Sequence, residues 1–416
     1  MSSASLAPLR HPSFSIALAA SFVSSTGTWM QSVALGIYLT QTTHNTLWLG
    51  LVTAAAWVPS LVGSPLGGLV ADRWNRQRWI QLNNVVMTLA AAALATAELT
   101  GHLAPATACY LAIIEGLASA AAWPAWQSLL PDLVDRHEVL AAVSLSSAQF
   151  NLGRVIGPVL AALVLAFGSP GWCFAINAAT FLFVAVAFLF VRSTPRPRID
   201  APVRLWGETV DGARRAWSIN GCKYPIIAVA VVAVTVSPFI ALVPAMAIEV
   251  LRAGKVGTSW LVTAQGIGAV VGAMTLPGLA RRTSRVFVLR LSIAAAVVSE
   301  ILYALSPTLA WAMASLVVLG AAYVGTLTGL ITSVQLHAPE RERSRILSLY
   351  TLSLSAAYPL GAVAQATLAR WWGVRAVTGI GAVVMALVVV GVSATRPSFW
   401  AQFASASKSE ARLLAD

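Results

Sequence analysis

The feature that most constrains this chain is a series of long apolar runs separated by short polar breaks. A run of about 20 apolar residues is long enough to cross the ~30 Å hydrocarbon core of a bilayer as a helix. Only 10% of the residues are charged, whereas soluble domains carry about a quarter. No long segment alternates apolar and polar residues, as the strands of a membrane barrel would. The sequence therefore predicts an all-α membrane protein.

We predict twelve transmembrane helices, named spans 1 to 12, in two six-helix bundles. The first bundle covers residues 1–195, a cytoplasmic linker with an amphipathic helix covers 196–224, the second bundle covers 225–396, and a cytoplasmic tail covers 397–416. The predicted spans are 13–39, 48–70, 79–99, 105–130, 140–167 and 171–191, then 225–249, 258–280, 286–305, 308–336, 346–369 and 374–395.

The distribution of basic residues predicts the orientation of these spans. Of the 27 Lys and Arg residues, 22 fall in the tail segments and alternate loops on one side, and four fall on the other. Basic loops remain in the cytoplasm, so both termini are predicted to be cytoplasmic. The formal charge of +12 follows this pattern and not that of a base-stacking surface. We therefore expect the lipid bilayer, and no nucleic acid, as the partner of these charges.

The two bundles are predicted to be related by an internal repeat. Polar residues that share one face of span 5 recur on span 11 at a constant offset of 204, with Gly361 matching Gly157. Internal repeats of this kind are typical of transporters whose halves move about a central site. The repeated residues are Ser144, Ser147, Asn151 and Arg154 in span 5, and Ser348, Thr351, Ser355 and Tyr358 in span 11.

Several stretches resemble a known family. The run 67–78, GGLVADRWNRQR, is similar to the loop signature of the major facilitator superfamily, although Asn75 stands where many members have Gly. The stretches 28–31, 131–134, 150–158 and 172–177 resemble its drug- and siderophore-exporter branch. The resemblance implies a major facilitator fold of two pseudo-symmetric bundles. It also implies a secondary active transporter that exports small amphipathic molecules by alternating access, with proton antiport as the expected coupling.

Two groups of residues are expected to control helix contacts and closure. Glycines allow close approach of helices, and the resemblance implies that Asp72 faces the start of span 11 and latches the cytoplasmic side. The arginines beside it can pair with acidic groups of facing loops, or can simply reflect positive-inside topology. The predicted gate comprises Gly67, Gly68, Asp72, Arg73, Arg76, Arg78, Asp132 and Glu340, and the predicted helix-packing motif comprises Gly153, Gly157 and Pro158.

Glu115 in span 4 and Arg154 in span 5 are the charges placed deepest in the predicted bilayer. Residue counts put them about 24 and 21 Å above the cytoplasmic surface, because a helix rises about 1.5 Å per residue. An ion pair between them could couple transport to protons, or could be a static bridge between the two helices. Glu98, Glu249 and Glu300 lie nearer the external helix ends, where we expect water to reach them.

Polar and aromatic residues of several spans are predicted to line a mostly apolar cavity suited to amphipathic or aromatic substrates. The alternative is that these residues serve helix packing and interface anchoring. The predicted cavity residues are Thr28, Gln31, Ser119, Trp123, Trp126, Asn151, Ser355 and Tyr358.

Other functions lack the motifs that they require. The single Gly-Lys step, at residues 254–255, does not continue as a phosphate-binding loop, so we expect neither nucleotide binding nor an ATP motor. The five histidines lack metal-binding or catalytic spacing, and three scattered cysteines indicate free thiols. We expect a monomer that is not an enzyme, has no cofactor or metal, and uses a proton gradient to move a small-molecule substrate. A proton-coupled importer, a lysolipid flippase and a sensor without transport remain alternatives.

Overall fold

A computed structural model describes residues 3–192, 214–340, 342–395 and 397–403, which are helical almost throughout and contain no strand. All twelve predicted spans are helices, which confirms the fold class. Spans 1 to 6 are Pro12–Thr43, Leu47–Arg73, Arg76–Leu99, Pro105–Leu129, Val139–Phe167 and Pro170–Ala187. Spans 7 to 12 are Asn220–Val250, Gly254–Arg282, Arg285–Ala304, Leu309–His337, Arg343–Trp372 and Val374–Thr395.

Most of these helices are apolar enough to cross a bilayer. Among the described residues, 11 helices meet the criteria of length and composition for a membrane span. Span 1 is not among the 11, although its 32 residues exceed the length that a crossing requires. It carries more Ser, Thr and Gln than its neighbours. The chain is a multi-pass membrane protein.

Two spans that were predicted as continuous helices are interrupted. Span 2 consists of Leu47–Trp57 and Ser60–Arg73, and Pro59 lies in the gap. Span 7 consists of Asn220–Thr235 and Phe239–Ala245, followed by one π-helical turn. Its first gap contains Pro238. Proline has no backbone N–H to donate, and its ring clashes with the preceding turn, so both breaks have a direct chemical cause.

The break in span 7 leaves backbone carbonyls that a side chain of span 11 satisfies. The Nε2 of Gln365 donates hydrogen bonds to the carbonyls of Val234 and Thr235, at 2.9 and 2.8 Å. Within the gap, the Ser237 hydroxyl lies 2.9 Å from the Tyr323 hydroxyl of span 10, and both are buried. Buried backbone acceptors need partners of this kind, and the break is therefore supported by two neighbouring helices.

The chain divides into two compact units. The first contains spans 1 to 6 together with Val243–Thr263, and the second contains the other described parts of spans 7 to 12. Residues 193–213, which include most of the predicted linker, lie outside the described residues, as does the tail from 404 onward. Residues 214–218 of the linker are helical, and Arg215 forms an ion pair with Glu342 at 3.4 Å.

Each unit contains an equivalent close contact between two of its helices. A Cβ atom added at Gly67 of span 2 would lie 2.6 Å from the Cα of Ala121 in span 4. A Cβ at Gly268 of span 8 would lie 2.7 Å from the carbonyl carbon of Val317 in span 10. Only glycine permits backbones to approach this closely. Spans 2 and 4 of one unit therefore pack as spans 8 and 10 do in the other, in agreement with the predicted repeat.

Candidate functional site

A chain of hydrogen bonds joins three helices of the first unit and ends at Glu115. The amide of Gln31 in span 1 donates to Oε2 of Glu115 in span 4 at 2.6 Å. The amide of Asn177 in span 6 donates to Oε1 of Gln31 at 2.8 Å. The hydroxyl of Thr180 lies 2.8 Å from the Asn177 carbonyl oxygen and 3.0 Å from Asn177 Oδ1, and either oxygen can accept its proton. The two amide donors, of Gln31 and Asn177, therefore both point toward the carboxyl group of Glu115.

This network is largely shielded from solvent. Gln31 is 5% exposed and Asn177 is fully buried. Glu115 is partly exposed as a residue, but its Oε1 is out of contact with solvent and has no hydrogen-bond partner among the described residues. A carboxylate with one hydrogen bond in apolar surroundings is costly, and a bound proton removes that charge.

The predicted ion pair between Glu115 and Arg154 is absent from the structure. Among the described residues, Glu115 has its hydrogen bond with Gln31 and no cation within 4.0 Å. The guanidinium carbon of Arg154 instead lies 5.2 Å from the centroid of the Trp29 ring, a cation–π distance. The prediction was wrong because residue counts give the height of each charge in the bilayer, whereas they do not give the direction in which its side chain extends from the helix.

The orientation of Arg154 follows from the packing of span 5. A Cβ at Gly153 would lie 2.6 Å from the Ser25 hydroxyl oxygen, and one at Gly157 would lie 2.6 Å from the Thr26 carbonyl oxygen. The glycine face of span 5 therefore packs directly on span 1. Pro158 is also buried. Arg154 follows Gly153 in the sequence, and its side chain extends along span 1 toward Trp29.

Three aromatic rings of spans 1, 4 and 5 form a cluster next to Arg154. Trp29 and Phe150 are in edge contact with centroids 6.3 Å apart, and Phe150 and Trp123 are 6.5 Å apart. Trp123 is 49% exposed and Phe150 is 41% exposed on the surface of the unit. We name Trp29, Trp123, Phe150 and Arg154 the aromatic–arginine cluster.

The other predicted cavity residues differ in their exposure to solvent. Thr28 and Ser119 are exposed, and Asn151 and Ser355 are partly exposed. Trp126 is buried against Phe188, the residue that follows span 6, with ring centroids 6.4 Å apart. Tyr358 is buried beside Ala233. The contacts of Trp126 and Tyr358 are therefore those of helix packing, which was the alternative to a cavity role.

One of the predicted gate contacts is formed within the first unit. Arg76 lies 2.9 Å from Asp132 in an ion pair whose side chains are 19% and 6% exposed. Asp72, Arg73 and Arg78 are exposed, as is Glu340 in the second unit. Gly67 makes a close contact, whereas a Cβ at Gly68 would meet nothing nearer than Pro124 at 4.0 Å. Their role in gating remains a prediction.

Sequence reasoning missed four residues and misplaced a fifth. Asn177 and Thr180 complete the network, and Trp29 and Phe150 complete the aromatic–arginine cluster. A signal for Asn177 was available, because an amide in an otherwise apolar span needs a buried partner. Glu300 was expected to reach water and is fully buried instead.

Near the predicted cytoplasmic end of the first unit, three potential metal ligands lie together. Ligand atoms of His11, Asp135 and Glu138 are all within 4.8 Å of one another. His11 already shares a hydrogen bond of 2.7 Å with Glu138, and that contact connects the start of span 1 to the start of span 5.

All three cysteines, Cys109, Cys173 and Cys222, are free thiols, as predicted.

Solved structures show the same arrangement of helices. The nucleoside transporter NupG aligns with a TM-score of 0.72 at 14% sequence identity, covering 94% of this chain and 99% of that chain. A D-xylose–proton symporter aligns with a TM-score of 0.68 at 14% identity, covering 89% and 96%. The chain therefore shares the fold of these two proteins.

Sequence comparison defines the family more narrowly. The chain belongs to the transmembrane secretion effector family, whose pattern matches residues 3–415. The enterobactin exporter of Salmonella typhimurium is 24% identical over 389 residues, which cover 91% of this chain and 92% of that protein. The staphyloferrin A transporter of Staphylococcus aureus is 31% identical over 147 residues, or 35% of this chain and 37% of that protein.

Proposed function

We propose that this transporter exports small amphipathic molecules of a siderophore-like kind by alternating access and proton antiport. Both termini lie in the cytoplasm, the proton gradient supplies the energy, and the chain acts as a monomer without a cofactor. The observation that carries the proposal is the hydrogen-bonded network that ends at Glu115. The names of two relatives, an enterobactin exporter and a staphyloferrin A transporter, support the substrate class.

Glu115 is the proposed proton-coupling residue. Glu115 is the only charged residue of span 4. Its Oε1 has no hydrogen-bond partner among the described residues. A buried ionisable group inside a membrane span carries a cost that usually accompanies function. Binding a proton neutralises the carboxylate, and releasing the proton restores a charge that the Gln31 amide stabilises.

The aromatic–arginine cluster is the proposed substrate surface of the first unit. Exposed rings bind apolar and aromatic groups, and the guanidinium of Arg154 provides positive charge beside Trp29. Thr28, Ser119 and Asn151 supply hydrogen-bonding groups on the same spans. An anionic aromatic molecule fits this chemistry better than a cation or a sugar.

Flux measurements in everted membrane vesicles test the direction and the coupling. With an acidic interior, vesicles containing the protein should accumulate labelled enterobactin, and dissipating the proton gradient should stop the accumulation. Glu115→Gln should abolish proton-driven accumulation while the folded protein remains in the membrane. Glu98→Gln is the matched control, because this carboxylate of the same unit is held by Ser169 and Gly171 at a helix end.

The outcomes separate the proposal from its alternatives. Accumulation only with an alkaline interior would identify an importer. Movement of labelled lysolipid without movement of enterobactin would identify a flippase. Undiminished proton-driven transport in Glu115→Gln would refute the assignment of Glu115 as the coupling residue.

A further inference from the structure

Glu300 in span 9 is a buried carboxyl group that the proposed transport mechanism does not use. It is 0% exposed, and neither of its oxygens has a hydrogen-bond partner among the described residues. Two other polar groups of the second unit also lack hydrogen-bond partners among the described residues. The hydroxyls of Tyr303, three residues further along the same face, and of Thr378 in span 12 are buried and lack partners in the described part of the chain.

Charged groups near Glu300 are few. Span 9 packs against spans 10 and 12 and the short helix Pro397–Phe403. Within these described elements, the titratable or charged side chains besides Tyr303 are Tyr323, His337 and Arg375, and span 9 itself adds Arg285 and Arg290 near its opposite end. Tyr323 is bonded to Ser237, and Arg375 donates to the Ser306 carbonyl at 2.7 Å. Among the described residues, none of the three arginines forms an ion pair with Glu300. No described group therefore offsets the desolvation cost of an ionised Glu300 carboxylate.

The first unit provides an internal comparison. Glu98 lies one residue before the end of span 3, and it accepts hydrogen bonds from the Ser169 hydroxyl at 2.8 Å and the Gly171 N–H at 3.0 Å. These donors belong to the start of span 6, where the helix dipole also favours an anion. Glu98 is partly exposed. Unlike Glu300, Glu98 therefore has hydrogen-bond donors among the described residues.

The equivalent end of the second unit is built differently. Arg375 is the second residue of span 12, as Gly171 is the second residue of span 6. Its guanidinium binds the carbonyl of Ser306, just beyond the end of span 9. Glu300 lies four residues before that end, about one helical turn deeper than Glu98 lies in span 3. The carboxyl group of the second unit is thus separated from both the helix N-terminus and the water that Glu98 reaches.

From this geometry we infer that Glu300 is a proton-binding site of the second unit that holds its proton at neutral pH, with the Arg375–Ser306 contact closing its route to the nearer helix ends. The ligand is a proton, because a neutral carboxyl group is the form that survives burial without a partner. The site is distinct from Glu115 and does not depend on the proposed export activity. A chain that transported nothing would still bind this proton.

Infrared spectroscopy of the purified protein in lipid nanodiscs tests the inference. A protonated carboxyl group without hydrogen bonds gives a carbonyl stretch above the amide band, and exchange into deuterated water lowers its frequency. At neutral pH we expect a band that disappears in Glu300→Gln and remains in Glu98→Gln and Glu115→Gln. Deuteration of the band should be slow in the wild type and at least tenfold faster in Arg375→Ala.

Two results would overturn the inference. If Glu300→Gln removed no band at neutral pH, the group would be ionised. If Arg375→Ala left the exchange rate unchanged, the contact would not close the route. Should Glu300→Gln fail to fold, Tyr303→Phe replaces it, since removing the adjacent hydroxyl should shift the Glu300 band without abolishing it. A band indifferent to that change would also count against the assignment.

Discussion

Replacing Gly67 by alanine should destabilise the first unit, whereas the same replacement at Gly68 should not. The added Cβ at Gly67 would lie 2.6 Å from the Cα of Ala121, and carbon atoms in contact are best separated by about 3.5–4.0 Å. Spans 2 and 4 would have to move apart by about 1 Å, and overpacking of this kind costs about 1–3 kcal/mol. At Gly68 the nearest atom would be 4.0 Å away, in ordinary contact.

The comparison of the two variants isolates the helix contact. Both replacements gain the same helix propensity, about 1 kcal/mol, and both lie in the same helical segment of span 2. Thermal unfolding of the detergent-solubilised protein measures the difference. A unit of this size should lose roughly 2–4 °C in Tm per kcal/mol, so Gly67→Ala should melt roughly 2–12 °C below Gly68→Ala. Equal melting temperatures would refute the close contact between spans 2 and 4.

Two further predictions concern polar contacts. Gln365→Leu removes the donor to two carbonyls of span 7, of which that of Thr235 is buried, and should cost about 1–3 kcal/mol in thermal unfolding. Thr367→Val, which loses only a bond within its own helix, should cost less. An equal loss would contradict the support of the break by span 11. A double-mutant cycle on Arg76 and Asp132 should give a coupling of about 0.5–3 kcal/mol, because that pair is largely shielded. Arg78→Ala combined with Asp132→Ala should be additive, and coupling there would contradict the assigned pairing.

The lengths of the apolar runs were sufficient to predict the spans. Span 12 was predicted at 374–395 and begins and ends there, and the largest error at a start is the five residues before 225 in span 7. The interruptions at Pro59 and Pro238 were not predicted. Prolines also lie inside unbroken helices, at Pro124 and Pro158 for example, and whether a helix continues depends on neighbours that satisfy the freed carbonyls.

The sequence predicted several residues of the site but not which of them contact one another. Glu115 and Gln31 were both selected from the sequence, yet Arg154 was expected beside Glu115. Residue counting gives the height of a side chain in the bilayer, whereas its direction around the helix depends on which face packs, and Gly153 turns span 5 toward span 1. Burial of Glu300 could not be predicted for the same reason, since distance from a helix end does not measure water access.

The polar network at Glu115 has a built-in direction. Each amide in it has one accepting end and one donating end, so the orientation of Gln31 determines that of Asn177. A proton placed on Oε2 of Glu115 would oppose the Gln31 donor and require both amides to turn over, whereas one placed on Oε1 would leave them as they are. The protonation state of one oxygen atom in span 4 can thereby be transmitted to span 6 by rotation of side chains, with every backbone stationary.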